Sequence, residues 1–122
     1  MTLVQKAIPL EIRYNKEERI LEVDFDDGHM FSFPAEFLRV ESPSAEVQGH
    51  SFAERRFIGG KINVGITAIE PVGNYAVRIC FDDNHDTGIY SWETLHDYGV
   101  RQEELWHRYL QEIKSRNISR EP

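Results

Sequence analysis

Five histidines, His29, His50, His85, His96 and His107, are the side chains of this sequence best suited to proton transfer or metal binding. Two occupy matching settings. His29 follows Asp26-Asp27-Gly28, and His85 follows Asp82-Asp83-Asn84. Such neighbours can share a metal ion, or the carboxylates can cap a turn while the imidazole opens the next strand. Because the same groups occur twice, a shared structural role is the simpler reading. A facial iron site needs two histidines and a carboxylate, usually with H-x-[DE] supplying two ligands, and no histidine here has an acid two positions on. His85-Asp86 and His96-Asp97 are adjacent pairs, and strand neighbours point to opposite faces. There is no Gly-rich phosphate loop, no H-E-x-x-H and no G-x-S-x-G elbow. Glu36 and Glu93 fall one in each repeat and read as helix starts rather than as an acid/base pair. The chain is therefore expected not to be an enzyme by itself.

The histidines sit in a duplicated element. Phe25-Asp26-Asp27-Gly28-His29 recurs as Phe81-Asp82-Asp83-Asn84-His85. Phe33-Pro34-Ala35-Glu36-Phe37-Leu38 aligns with Tyr90-Ser91-Trp92-Glu93-Thr94-Leu95 after a one-residue insertion. Leu21, Val23 and Phe25 alternate with Glu22 and Asp24, and Tyr75, Val77, Ile79 and Phe81 alternate likewise, which indicates half-buried strands. Asp27-Gly28 and Asp83-Asn84 tolerate positive φ and reverse the chain into hairpins. A short helix follows each hairpin, with Pro34 at its first position in one unit and Ser91 as N-cap in the other. Gly99 is the expected stop of the second. The fold class is α+β: a small, mostly antiparallel sheet built from duplicated strand–turn–strand–helix units, with a C-terminal helix packed on it.

Leu10, Ile12 and Tyr14 predict a further strand before the first unit, and Ile62–Ile66 with Ala68–Glu70 predict strand before the second. Between the units, residues 41–61 lose periodicity and read as a long loop, mobile or functional. Leu105, Trp106, Tyr109, Leu110 and Ile113 form the apolar stripe of the C-terminal helix. Residues 117–122 are expected to fray. The whole, residues 1–122, reads as one domain.

Composition narrows the function classes. Of 122 residues, 14 are Lys or Arg and 21 are Asp or Glu, a net charge of −7 that disfavours phosphate backbones and anionic membranes. The Arg55-Arg56 pair is too short for a basic footprint. The single Cys80 excludes an internal disulfide and a cysteine-rich zinc site; its apolar neighbours make it a small core or half-buried residue. No apolar run spans a bilayer, and Met1–Pro9 lacks the apolar region of a signal peptide. The cytoplasm is the default compartment.

The ordered set of strand, D-D-[GN]-H turn, Leu38-Arg39 and Tyr90-Ser91-Trp92-Glu93-Thr94-Leu95-His96-Asp97-Tyr98-Gly99 resembles the γ-butyrobetaine hydroxylase-like N-terminal domain, also called DUF971, over roughly residues 9–111. In the hydroxylases this domain precedes a separate iron/2-oxoglutarate catalytic domain, and other copies are attached to Mrp-type P-loop ATPases of iron–sulfur assembly. The resemblance implies an accessory module. The hydroxylase version binds zinc through C-P-C-x-x-C after L-R and a histidine in the later turn. Here Ser42, Ser44 and Val47 occupy the cysteine positions, and His85 matches the remaining ligand. Two hydroxyls and a valine do not replace three thiolates.

The leading expectation is a non-catalytic accessory or protein-interaction module without cofactor. It would use the Ser42–Gly60 loop, with Phe52, Arg55, Arg56 and Phe57, and the neighbouring His85 turn, to hold a protein partner. The alternative is zinc or iron handling, or iron–sulfur assembly, through His85 with Asp82, Asp83 or His50. A third reading is a subunit of a separate 2-oxoglutarate oxygenase.

Overall fold

The structure, a computed structural model, describes residues 6–122; the reading of Met1–Gln5 lies outside them. Two antiparallel three-stranded meanders follow one another. β1 (Pro9–Asn15), β2 (Ile20–Phe25) and β3 (Met30–Pro34) form the first. β4 (Ile66–Val72), β5 (Ala76–Phe81) and β6 (Gly88–Ser91) form the second. Each meander runs into a helix, α1 (Ala35–Val40) or α3 (Trp92–Val100). A four-residue α2 (Ala45–Gln48) and a 3₁₀ turn (Phe52–Glu54) lie between the units, and α4 (Gln102–Ser115) ends the fold.

The alternation in sequence becomes the core. Val23 sits opposite Ile12 and Phe31, and Leu21 opposite Tyr14 and Phe33. In the second unit Val77 faces Tyr90 and Ile79 faces Ile69. Leu21, Val23, Phe25, Phe33, Val77, Ile79, Phe81 and Tyr90 share one buried cluster with Phe37, Leu38, Leu95 and Leu105. Neither meander buries both faces alone, so the two close on each other and on the helices.

The duplication extends to the hydrogen bonds. The N–H of Phe25 donates to the His29 carbonyl (2.8 Å) as that of Phe81 does to the His85 carbonyl (3.0 Å). The Asp27 and Asp83 carboxylates each accept the N–H two residues on, at 3.0 and 3.1 Å. Gly28 and Asn84 take the positive φ that this turn requires, +91° and +68°. Each first strand carries a bulge at the equivalent place, Pro9/Glu11 and Ile66/Ala68. Pro9, Pro34 and Pro71 all lie on edge strands, where a missing N–H leaves no ladder bond unmade.

Several expectations need correction. Residues 62–65 are not strand; the second unit's first strand begins at Ile66. Tyr75 precedes β5 and is exposed rather than in the core. Pro34 ends β3 and is the N-cap of α1, whereas Ser91 caps α3 as expected, accepting from Thr94 N at 3.1 Å. Gly99 does not stop α3. It is needed for space, because a Cβ there would overlap the Phe31 ring. Residues 117–122 are not frayed. The N–H groups of Gly60 and Ile62 donate to the Ser119 and Arg120 carbonyls (2.9 and 3.1 Å), and Arg120 forks onto the buried Glu36 carboxylate (2.9 and 2.7 Å). α4 lays Leu105 on the main core and builds a second cluster from Tyr109 and Ile113 with Val40 and Phe57.

Candidate functional site

Chain reversal at each hairpin brings an Asp-x-His turn against the helix of the other unit, giving two related corners. Arg39 and His96 are equivalent positions, each following the buried leucine of its helix (Leu38, Leu95). Asp83 accepts from Arg39 Nε at 2.7 Å, and Asp27 contacts His96 Nε2 at 2.8 Å. The close packing is also exchanged: Phe31 sits over Gly99 in one corner, and Ser42 over Gly88 in the other, where a Cβ would lie 2.6 Å from Ser42 Oγ.

The second corner contains the residues singled out from the sequence. His85 is 6% exposed, with Nε2 2.9 Å from Ser42 Oγ and Nδ1 3.2 Å from Glu46 Oε2. Burial, and next the charge of Arg39, push the imidazole below its ordinary value, against the opposing pull of Glu46 and Asp83, so the ring is neutral at neutral pH. A carboxylate only accepts, so Nδ1 carries the hydrogen and Nε2 accepts from the Ser42 hydroxyl. Ser44 Oγ is 2.7 Å from Thr87 Oγ1 and accepts from Glu46 N. Val47 is buried on α2. Ser42 and Ser44 thus converge with the His85 turn, but their oxygens close a neutral hydrogen-bonded network. This donor set does not fit a thiolate-type zinc centre.

The other proposed ligands do not join His85. Asp82 accepts from Gly65 N at 3.0 Å, Asp83 is held by Arg39 and Lys61, and the His50 backbone N–H is bonded to Glu54. Burial alone would raise the Asp83 carboxyl. Hydrogen bonds from Lys61, Arg39 and the His85 N–H reverse this and hold it at about 2. The unfolded value is near ~3.9, so the stabilisation is complete above that pH and is lost as pH falls through about 2. Asp83→Asn is expected to lower stability at neutral pH and to flatten the loss between about pH 4 and 2. Urea unfolding across that range measures it, and an unchanged acid limb in the variant would refute the assignment.

Of the loop residues, Phe52 and Arg56 are exposed. Arg55 and Phe57 are buried and withdrawn from any docking face. Arg55 Nη2 donates to Glu41 Oε2 at 2.8 Å, and its guanidinium lies 4.6 Å from the Phe57 ring centroid. Arg55 and Phe57 thus tie residues 41–61 to the body of the fold as a strap. The Cys80 thiol is half-buried, and burial followed by its hydrogen bond to Glu70 pushes it up, away from thiolate reactivity.

In the first corner the sequence paired Asp27 with His29 but did not place His96 beside them. His29 Nδ1 and His96 Nε2 lie 2.9 and 2.8 Å from the same oxygen, Asp27 Oδ2. The His29 backbone N–H, then its ring, hold the Asp27 carboxyl well below the usual range. Among the described residues this is the one group of three His, Cys, Asp or Glu side chains placed to share a metal ion. A D-x-H spacing was its only local signal, since His96 is supplied by the other unit.

Fold and corners together define a class: a small α+β module of two hairpin–helix units interlocked through their turns. The chain belongs to the γ-butyrobetaine hydroxylase-like N-terminal family, whose sequence model matches residues 12–96. Two NMR solution structures are similar to it. One has 42% identity and a TM-score of 0.84, covering 97% of this chain and 93% of that one. The other has 45% identity and a TM-score of 0.83, covering 100% and 92%. A crystal structure of a DUF971-family protein of unknown function from Acidithiobacillus ferrooxidans matches at 42% identity and a TM-score of 0.60, covering 71% of this chain and 86% of that one. No curated protein matches. Among the described residues no helix is long and apolar enough to cross a membrane.

Proposed function

We propose that this chain is a non-catalytic interaction module that holds a partner protein through the Gln48–Arg56 segment. The observation that carries the reading is Phe52, a large aromatic left 58% exposed on a segment whose base is rigidly tied. Glu41–Arg55 and the buried Phe57 fix that base, so presenting Phe52 costs little further ordering. Phe52 borders a cavity of about 310 Å³ lined by Gln48, Gly49, His50 and Arg108, and the Arg108 guanidinium lies 6.0 Å from its ring. An aromatic anchor beside Arg108, with Arg56 exposed on the same segment, suits a partner segment with an apolar side chain beside carboxylates. The closed network around His85 supports the same reading, because it offers no free nucleophile or base.

The test is recovery of the tagged full chain from its own cells. A protein that accompanies the wild type is expected to fall at least about tenfold with Phe52→Ser or Arg56→Glu and to persist with Tyr75→Ser, at another exposed aromatic. Recovery of no partner, or of one indifferent to Phe52, would sink the reading.

A further inference from the structure

We propose that Asp27, His29 and His96 form a binding site for a divalent transition-metal ion of the imidazole-preferring kind, with Zn²⁺ as its simplest occupant. This goes beyond the interaction surface and involves none of its residues.

Geometry is the first support for the site. The three donor atoms lie within 4.8 Å of one another, and each nitrogen is 2.8–2.9 Å from the same carboxylate oxygen. Donors about 2.0–2.1 Å from a tetrahedral ion stand roughly 3.3–3.4 Å apart, so the two contacts to Asp27 open by about half an ångström to admit it. Each ring then presents the nitrogen that now faces Asp27, and its proton moves to the outer ring nitrogen.

Preorganisation is the second. His29 stacks on Phe31 with centroids 5.3 Å apart, and His96 stands edge-on to Phe25 and Phe31 at 5.0 and 5.5 Å. The backbone N–H of His29 ties the turn to Asp27 Oδ1. Both imidazoles are therefore held on rigid aromatic ground, which reduces the ordering a ligand must impose.

Charge is the third, and the internal duplication makes it visible. In the second corner the turn carboxylate, Asp83, meets two permanent cations, Arg39 and Lys61. In the first, the position of Arg39 is taken by His96, and Asp27 has no Lys or Arg partner among the described residues. The adjoining cavity of about 490 Å³ is lined by Asp26, Asp27, Glu93 and Asp97 with Lys6 as its one cationic residue. Lys6 pairs with Glu93, and Arg101 with Asp97, so Asp26 and Asp27 remain uncompensated among the described residues. A dication supplies the charge that Arg39 and Lys61 supply on the other side. With three protein ligands, its remaining positions open toward this cavity.

The experiment uses the full chain with any histidine tag removed. Zn²⁺ is titrated by calorimetry, with Co²⁺ absorption and the imidazole resonances as independent readouts. One equivalent should bind and shift His29 and His96. Affinity should fall at least about tenfold in His29→Gln, and again in Asp27→Asn, while His85→Ala leaves it unchanged. His29 lies on an exposed turn, so His29→Gln retains the fold, verified by circular dichroism. No binding at millimolar Zn²⁺, or binding indifferent to His29→Gln, overturns the proposal. Loss in His85→Ala alone would assign the ion to the second corner and overturn it equally.

Discussion

Replacing Arg55 with methionine is expected to destabilise the protein by about 3–5 kcal/mol, because it leaves a buried carboxylate without its cation. Glu41 is 2% exposed, and the Arg55 side chain is 4% exposed in their ion pair. Arg55 also donates to the Val40 carbonyl at 3.2 Å, so the change unties the end of α1 as well. The nearest other cation, Arg108, stands 3.8 Å from Glu41 and is too distant to hydrogen-bond it. Methionine keeps much of the stem that packs by Phe57, so the loss is chiefly electrostatic. Total stability for such a domain is about 5–15 kcal/mol, and the midpoint should fall by roughly 10–20 °C. Adding Glu41→Gln should restore a large part of the loss, since the stranded charge is then gone. Thermal and urea unfolding of the wild type and both variants decide the matter; an Arg55→Met protein within about 1 kcal/mol of wild type would show that the pair does not secure the strap.

The second expectation concerns the corner around His85. Ser42→Cys, Ser44→Cys and Val47→Cys together should create a zinc centre that the natural sequence lacks. The neutral His85 already aims an acceptor nitrogen at position 42, and the Ser44 backbone N–H points at the same side-chain atom, at 3.3 Å. A tetrahedral ion needs sulfur and nitrogen about 3.5 Å apart, so the 2.9 Å contact must open by roughly half an ångström. Position 42 packs against Gly88, where no side chain competes with it for the space. Structural zinc bound by thiolates contributes on the order of 10 kcal/mol, which would make the triple variant's stability strongly zinc-dependent. The measurement belongs in a His96→Gln background, which silences the Asp27 cluster. Stoichiometric zinc with a cobalt–thiolate band, weakened by His85→Ala, is the expected result. Zinc uptake no greater than in the background protein would rule out the spatial equivalence of these positions to the family's cysteines.

Much of the fold was legible in the residues because its signals are local. Period-two burial in Leu21–Phe25 and Val77–Phe81, the Asp27-Gly28 and Asp83-Asn84 turns, and the Ser91 cap each act within a few residues. The apolar stripe of α4 was equally plain. What failed depended on distant partners. Gly99 reads as a helix stop until Phe31 is seen to occupy its Cβ position. The last residues read as a loose tail until Glu36 is found to accept Arg120, 84 positions away. Arg55 and Phe57 stand as interface candidates until Glu41 and α4 enclose them.

The sequence by itself determined the duplication, the family and the two Asp-x-His turns, since these depend on residue type and near-neighbour spacing. Only the tertiary structure decided what each turn faces. The units interlock so that Asp83 meets Arg39 and Asp27 meets His96. One carboxylate is thereby neutralised by a guanidinium, and the other is joined by two imidazoles. No local pattern encodes that difference, because each contact pairs a hairpin of one unit with the helix of the other.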